Sequence, residues 1–195
     1  MREFILRAQK ARTGSFDVND LPNAGHMEIV CQCIANALWV SNHVREDTVV
    51  HAVLEGPDSA PKIVSIEGKS IQGLRFDEKG IAELVLNALK KGKQLAMGEQ
   101  AVASPGVTIT KKSFEQLIKE KANEGQLYYL HKKGTDVREQ QFREHPIFVF
   151  GDYTGIPSKT EKFLENNNAE KISLGRAMLF ASQCIIVVHN ELDRR

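Results

Sequence analysis

The chain has 195 residues, of which 42% are hydrophobic and 26% are charged, and its formal net charge is +1. This composition is that of an ordinary globular protein, and the length suits one well-buried domain or at most two small ones. No apolar run approaches the roughly 20 residues that a membrane-spanning helix needs. Because the first residues also lack the apolar core and cleavage site of a signal peptide, we expect a cytoplasmic protein without a membrane anchor.

The first half of the chain predicts strands alternating with helices. Residues 3–8 alternate like a strand, and residues 27–40 carry apolar side chains at helical spacing. Residues 48–54 and 62–66 predict two further strands, joined through a Gly-Pro turn. Asp77 is a candidate N-cap for the helix that follows.

The second half continues the alternation. A loop is predicted over residues 98–106, and Ser113 and Gln116 form a capping-box pattern that opens a helix. A turn at 132–134 is expected to end the first of three later strands. These strands are predicted over residues 127–131, 147–150 and 172–174. Strands alternating with helices predict an α/β fold with a mostly parallel sheet flanked by helices.

The last long apolar stretch, residues 177–188, is too long for an ordinary strand, although its β-branched run 185–188 would suit one. We predict a helix that is apolar nearly all round and therefore needs cover on several sides. A dimer interface would supply that cover, and burial of the helix within one subunit is the alternative.

The number and spacing of the cysteines give little support for a metal site or for thiol chemistry. Cys31, Cys33 and Cys184 are an odd number, which fits a reducing compartment. Cys31 and Cys33 could begin a metal site, but no second Cys or His pair has the spacing of a zinc cluster. We therefore expect no bound metal.

Several familiar nucleotide-binding and catalytic motifs are missing. The chain contains no Gly-x-Gly, so it has neither a Rossmann fingerprint nor the glycine loop of ordinary methyltransferases. It also lacks a complete Gly-x-x-x-x-Gly-Lys-Ser/Thr phosphate loop and a Gly-x-Ser-x-Gly nucleophile elbow. A nucleotide-like cofactor must therefore be held in a different way.

The C-terminal part of the sequence resembles a known family. Residues 147–152 read Ile-Phe-Val-Phe-Gly-Asp and residues 172–175 read Ile-Ser-Leu-Gly, so each predicts a strand that ends in a glycine turn. An apolar segment containing Cys184, His189 and Asp193 follows. This ending is similar to that of the archaeal tRNA pseudouridine N1-methyltransferases and their bacterial relatives, which belong to the SPOUT superfamily. The resemblance extends over nearly the whole chain.

The resemblance implies both a fold and a reaction. SPOUT enzymes have a C-terminal trefoil knot that holds S-adenosylmethionine, and they are generally homodimers. We therefore expect residues 1–195 to form a single SPOUT domain, with the cofactor-binding knot within about residues 127–193. We further expect a homodimer through the C-terminal helix and methylation of N1 of a pseudouridine in RNA, with tRNA as the expected substrate.

The same resemblance implies which residues bind the cofactor. The positions where the family's cofactor loops fall are Leu130, Gly151, Leu174, Gly175 and Leu179. The glycines at 151 and 175 would let the backbone approach a ligand or a threaded chain without a Cβ clash. The alternative is that these two glycines only end strands.

Cys184 matches the cysteine of the family motif, which lies close to the cofactor. A cysteine can act as a nucleophile, but methylating a nitrogen needs no covalent adduct. We therefore favour a role in the cofactor pocket or in packing, with a covalent role or a less specific substrate contact as the alternatives.

Two aspartates are candidates for handling the N1 proton. Asp17 and Asp20 lie in the polar loop after the first strand, and the family has an aspartate before Leu-Pro that matches Asp20 here. Either residue could accept the proton or orient the reacting base. Alternatively, Asp20 simply builds the turn, as aspartates often do.

Four basic residues among the first twelve are candidates for contacting RNA. Arg2, Arg7, Lys10 and Arg12 are opposed by Glu3 alone. We expect Arg2, Arg7 and Arg12 to contact the RNA backbone, since phosphate contacts dominate such affinities. The alternative is a solvated edge strand whose charges prevent edge-to-edge pairing.

One segment departs from the family pattern. Where the archaeal enzymes typically read Gly-Arg-Leu-Asp, residues 25–28 read Gly-His-Met-Glu. Loss of the arginine puts the identity of the modified nucleotide in doubt. A SPOUT methyltransferase for another RNA position, or a dimeric RNA-binding protein without catalytic activity, therefore stays open as an alternative.

Overall fold

Strands from both halves of the chain pair into one eight-stranded sheet. The computed structural model describes residues 1–195, and the sheet has the order β10-β8-β9-β1-β4-β5-β7-β6, while β2 and β3 form a separate hairpin. The strands are β1 (Arg2–Ala8), β2 (Trp39–Val40), β3 (His43–Val44), β4 (Thr48–Leu54), β5 (Lys62–Glu67), β6 (Gln100–Ser104), β7 (Val107–Thr110), β8 (Gln126–Asp136), β9 (Pro146–Gly151) and β10 (Glu170–Ser173).

The direction of the strands divides the sheet into two parts. Strands β10, β8, β9, β1 and β4 run parallel to their neighbours, whereas β5, β7 and β6 pair antiparallel. The prediction of an α/β fold with a mostly parallel sheet is therefore confirmed. Because parallel strands place their carboxyl ends at one edge, the five strands β10, β8, β9, β1 and β4 define a candidate ligand edge.

Helices cover both faces of the sheet. They are α1 (Met27–Leu38), α2 (Glu78–Lys91), α3 (Phe114–Glu124), α4 (Ser158–Glu165) and α5 (Ala181–Asp193). Helices α1, α2 and α5 pack over the larger of two apolar clusters, and α3 and α4 pack over the smaller one on the opposite face. None of the helices is long and apolar enough to cross a membrane.

The predicted helix caps are confirmed. The Asp77 side chain accepts a hydrogen bond from the Gly80 N–H at 2.8 Å. Ser113 and Gln116 form the reciprocal capping box, with bonds of 3.2 and 3.0 Å. Each cap satisfies backbone donors that the first turn of a helix leaves unpaired.

Three predicted boundaries are wrong. Strand β8 continues through the expected turn at 132–134, because its last residues pair with the end of β10. The expected loop at 98–106 contains β6, an edge strand that pairs only with β7 and whose polar and small residues hid it. The last helix begins at Ala181 rather than 177, because the Gln183 side chain caps the Phe180 N–H.

The end of α5 is tied to β1 by a partly buried hydrogen-bond network. His189 donates through Nε2 to the Ala37 carbonyl at 3.0 Å and accepts through Nδ1 from the Arg2 guanidinium at 3.1 Å. Asp193 accepts from Arg2 at 2.7 Å and from Arg45 at 3.0 Å. This network fixes α5 against α1 and β1, and it gives two residues of the C-terminal motif a structural role.

A second polar cluster surrounds Glu3, near the amino end of β1. Its carboxylate lies 2.8 Å from His51 Nε2, 2.9 Å from Lys121 Nζ and 2.8 Å from His145 Nε2. Burial alone would raise the pKa of Glu3, but His51 and Lys121 lower it to about 2. The carboxylate is therefore charged and well compensated, and it lies at the opposite edge from the carboxyl strand ends.

We predict that stability falls as the pH drops from 6.5 to 4.5. Burial, followed by the charges of Arg45 and Arg2, lowers the pKa of His189 from 6.5 to about 4. In this window the unfolded chain binds a proton at His189, whereas the native imidazole does not. The free energy of unfolding therefore falls by on the order of 2–3 kcal/mol. The pKa values of Glu3 and Asp193 are lowered from 4.5 and 3.8 to about 2, so the stability that these carboxylates contribute is lost mainly as the pH falls from about those ordinary values towards 2.

Urea denaturation at several pH values measures this effect. His189→Gln keeps a donor for Ala37 and an acceptor for Arg2 but cannot be protonated, so its stability should be nearly flat over the same window. His43→Gln, on the exposed β2–β3 hairpin, serves as the control and should retain the wild-type slope. A steep slope that survives in His189→Gln would contradict the assignment.

Candidate functional site

The carboxyl ends of the parallel strands bring most of the predicted cofactor residues to one edge. Tyr129 pairs with Val149, so Leu130 lies level with the last residues of β9. Gly151 ends β9 opposite Arg7 of β1. Leu174 and Gly175 follow directly after β10. Ligands of open α/β sheets bind at this edge, where backbone groups point away from the sheet.

The loop between β10 and α5, residues 174–180, offers unpaired backbone donors. Gly175 has φ 109°, and no atom lies within 4 Å of the place where its Cβ would be. The N–H groups of residues 176–179 have no hydrogen-bond partner within the protein. Leu130, Leu174 and Leu179 are half-buried against the main core beside this loop. Free donors next to aliphatic side chains fit an adenosine, whose flat apolar ring has polar edges.

Gly151 is required by its own turn rather than by a ligand. A Cβ at this position would lie 2.2 Å from the Gly155 carbonyl oxygen. Asp152 holds the same turn, since its side chain accepts from the Thr154 N–H at 2.8 Å and from the Gln9 N–H at 2.9 Å. Gly175, with open space around it, is therefore the better candidate for direct approach to a ligand.

Cys184 lies in the first turn of α5 beneath this loop. Its thiol donates to the Leu179 carbonyl at 3.9 Å, and burial raises the pKa of Cys184 to about 11. Because only the thiolate is a strong nucleophile, this environment favours the packing or pocket role over a covalent one. No group of three or more His, Cys, Asp or Glu side chains is arranged to hold a metal ion.

Asp17 and Asp20 lie on the surface and hydrogen-bond within their own loop. Asp17 accepts from the Asn19 backbone N–H at 2.9 Å, and Asp20 accepts from the Asn23 amide at 2.8 Å. Asn19 in turn accepts from Lys79 at 2.9 Å, which fastens the loop to α2. These bonds are those of a turn, and the catalytic assignment of the two aspartates stays a prediction.

The three arginines predicted to contact RNA all have carboxylate partners. Arg7 forms a two-pronged ion pair with Glu55 at 2.8 and 3.0 Å, and its guanidinium lies 4.4 Å from the centre of the Phe114 ring. Arg2 belongs to the network around His189, as described above. Arg12 pairs with Asp58 at 3.0 Å, but its side chain is 37% exposed, against 14% for Arg2 and 17% for Arg7. Arg12 is thus the most accessible of the three.

The structure reveals a cluster that our reading of the sequence did not assign. His26 Nδ1 lies 2.8 Å from a carboxylate oxygen of Glu28, and the His26 ring lies 4.4 Å from that of Tyr153, centre to centre. The Tyr153 ring has a second neighbour in Lys10, whose Nζ lies 5.7 Å from the centre of the ring. The only signal in the sequence is the departure from the family pattern at residues 25–28.

A crossing of two backbone segments positions this cluster. A Cβ at Gly25 would lie 1.8 Å from the Lys10 carbonyl oxygen, and Gly25 has φ 75°. Only glycine fits so close an approach in this conformation. His26 follows with φ 62°, an uncommon conformation for a residue with a side chain. The crossing sets the segment that opens α1 against the segment after β1, and the His26 ring reaches the turn that follows β9.

The parallel sheet, with an open loop beyond its strand ends, has a counterpart among solved structures. The crystal structure of Archaeoglobus fulgidus Nep1 bound to S-adenosylhomocysteine is similar, with a TM-score of 0.66 and 12% sequence identity. The superposition covers 99% of this chain and 97% of that one. At this identity the similarity shows the fold alone.

Sequence comparison identifies the family. The sequence model described as "Putative SAM-dependent RNA methyltransferase" matches residues 1–195. The tRNA (pseudouridine(54)-N(1))-methyltransferase of Methanocaldococcus jannaschii is 37% identical over 202 residues, with 100% of this chain and 98% of that one covered. A Photobacterium profundum protein named "Putative pseudouridine methyltransferase" is 36% identical over 195 residues, with coverages of 99% and 98%. The chain belongs to this family and is an S-adenosylmethionine-dependent RNA methyltransferase.

We predict that Gly175→Trp weakens S-adenosylmethionine binding by about 100-fold or more, since an indole would fill the open space beside the loop donors. Titration calorimetry measures the affinity, and circular dichroism checks the fold. Gly73→Trp is the matched control, because Gly73 also has a positive φ and no atom near its Cβ position, yet lies far along the chain from this edge. Equal affinities of the two variants would place the cofactor elsewhere.

Proposed function

We propose that the protein methylates N1 of a pseudouridine in tRNA, and that it does so in the cytoplasm. The observation that carries this proposal is the full-length similarity, over both chains, to a methyltransferase named for that reaction. The open loop with its free donors supports the same proposal, because it offers the chemistry that the cofactor requires.

The reaction needs little from the protein beyond alignment and a proton acceptor. S-adenosylmethionine supplies an activated methyl group, so no metal is required. We propose that Leu130, Leu174, Gly175 and Leu179 hold the adenosine part, with Cys184 packed beneath them. The protein must place N1 in line with the methyl carbon and sulfur and remove the N1 proton.

The RNA contacts are proposed on the same basis. Arg12 is the best supported, since its half-exposed guanidinium could exchange Asp58 for a phosphate. Arg2 and Arg7 stay predictions for which the geometry gives less support, because their own side chains are only 14% and 17% exposed. Asp17 and Asp20 likewise remain candidates for contacting the substrate.

A transcript assay tests the proposed reaction. The same tRNA is prepared with pseudouridine or with uridine at its target position, and the product nucleosides are identified by mass spectrometry. We expect N1-methylpseudouridine from the first RNA and no product from the second, because the nitrogen at that position is a carbon in uridine. Methylation of another nucleotide would retain the enzyme class and overturn the substrate, whereas cofactor binding without turnover on any RNA would favour a non-catalytic RNA-binding protein.

We further propose a homodimer through α5 and the loop before it. Three large apolar side chains are exposed here: Met178 at 97%, Phe180 at 74% and Ile186 at 50%. The opposite side of α5 packs on α1, so the exposed side chains form a separate face. Exposed apolar side chains grouped in this way are typical of an interaction surface.

Sedimentation equilibrium tests the dimer. Ile186→Glu places a charge at the centre of the proposed interface, and we expect it to shift a dimer to a monomer by at least about tenfold in dissociation constant. Val102→Glu is the control, because Val102 is also apolar and 63% exposed but lies on the edge strand β6. A wild-type protein that sediments as a monomer would contradict the proposed dimer.

The trefoil knot within about residues 127–193 of a single domain, 1–195, is part of the proposal. Close contacts at this end of the sheet support it. A Cβ at Gly134 would lie 2.5 Å from the backbone of Ile172. Beyond β8, the Val137 carbonyl accepts from Arg195 at 2.9 Å, so the segment after β8 lies against the C-terminal end of α5.

A further inference from the structure

In the cluster at residues 26–28, only one of the two carboxylate oxygens of Glu28 has a hydrogen-bond partner. Glu28 Oε1 lies 2.8 Å from His26 Nδ1, whereas Glu28 Oε2 is buried without any hydrogen-bond partner. Buried polar atoms without partners are rare and often mark functional sites. The Glu28 carboxylate is therefore directed at the imidazole, with no other protein donor to share it.

This contact fixes which nitrogen of His26 is free. A carboxylate can only accept, so Nδ1 must carry the hydrogen. In the neutral imidazole, Nε2 then presents its lone pair, and no protein atom donates to it. The His26 side chain is 43% exposed, so this lone pair is accessible. An imidazole oriented through Nδ1 by a carboxylate, with Nε2 free, is the arrangement of a general base.

The free nitrogen lies beside the cofactor edge. The His26 ring packs on Tyr153, two residues beyond Gly151 at the end of β9. Tyr153 is 47% exposed, so much of its surface is open to a flat ligand. Aromatic side chains in this situation stack on nucleic-acid bases that are turned out of a helix.

We propose that His26 is the catalytic residue that accepts the N1 proton, that Glu28 is its positioning residue, and that Tyr153 supports the target base. This inference rests on the proposed function. The N1–H proton passes to Nε2, and the nitrogen electron pair forms the bond to the methyl carbon. The carbon–sulfur bond breaks with its electrons left on sulfur, Glu28 stabilises the imidazolium, and the imidazolium then releases the proton to water.

The competing acceptors are less suited to this step. Asp17 and Asp20 each accept a hydrogen bond from an asparagine of their own turn through one carboxylate oxygen. Neither side chain forms a hydrogen bond with the turn after β9. His26 and Glu28, by contrast, occupy the positions at which this chain differs from the archaeal pattern, so the proton acceptor would be specific to this branch.

Two variants separate the catalytic role from a structural one. His26→Asn keeps a residue type that tolerates positive φ but removes the titrating nitrogen. Glu28→Gln keeps the size of the side chain but removes the charge. Single-turnover methylation of pseudouridine-containing tRNA is measured from pH 5 to 9 at saturating cofactor, and calorimetry gives the affinities for S-adenosylmethionine and for the RNA.

We expect His26→Asn to slow methyl transfer by about 10²- to 10⁴-fold and to abolish the rise in rate with pH that the wild type shows. Both affinities should stay within about threefold, which is less than 1 kcal/mol. A second readout does not depend on activity: ¹⁵N spectra of the wild type without ligands should show hydrogen on Nδ1 of His26, and Glu28→Gln should lose this preference.

Three outcomes would overturn the inference. The first is an unchanged rate in His26→Asn, and the second is a slowed rate that keeps the wild-type pH profile. The third is a larger loss in Asp20→Asn than in His26→Asn, which would move the acceptor to the aspartate loop. Failure of the proposed function looks different, because the wild type itself would leave the pseudouridine-containing tRNA unmethylated.

Discussion

The position of β1 at the centre of the sheet is the constraint on which the rest of the structure depends. This strand pairs with β9 on one side and with β4 on the other, and its residues Phe4, Ile5 and Leu6 are at most 1% exposed. Its first residues fix α5 through the His189 network. Its last residues lead into the segment that crosses Gly25. The ligand edge is therefore assembled from the two ends of the chain, and β1 holds them together.

Local signals predicted much of this fold, and long-range pairing decided the rest. The caps at Asp77 and Ser113 need only neighbours within one helical turn, so the sequence was sufficient to find them. The continuation of β8 depends on β10, more than thirty residues away, and no local pattern reports that pairing. The start of α5 was predicted too early for another reason, because residues 177–180 are apolar although they lie in the loop before the helix.

The candidate site shows the same division. Family resemblance led to residues within β8, at the end of β9 and directly after β10, and the structure brings them to one edge. The proximity of His26 and Glu28 follows from their spacing in the sequence, but the contact of His26 with Tyr153 joins residues 127 positions apart. Charge was the least informative signal. Arg2 and Arg7 suggested nucleic acid in the sequence, yet each lies beside a carboxylate that the fold brings from far along the chain.

The network at the end of α5 also limits when the fold can form during synthesis. Arg2 leaves the ribosome 191 residues ahead of its partner Asp193. Strand β1 can pair with β4 early, but its other edge stays open until β9 has emerged. An apolar central strand must therefore wait with an unpaired edge, which is the condition under which chaperones bind and nascent chains aggregate. The contact between Arg2 and Asp193 can form only after all of these strands have emerged.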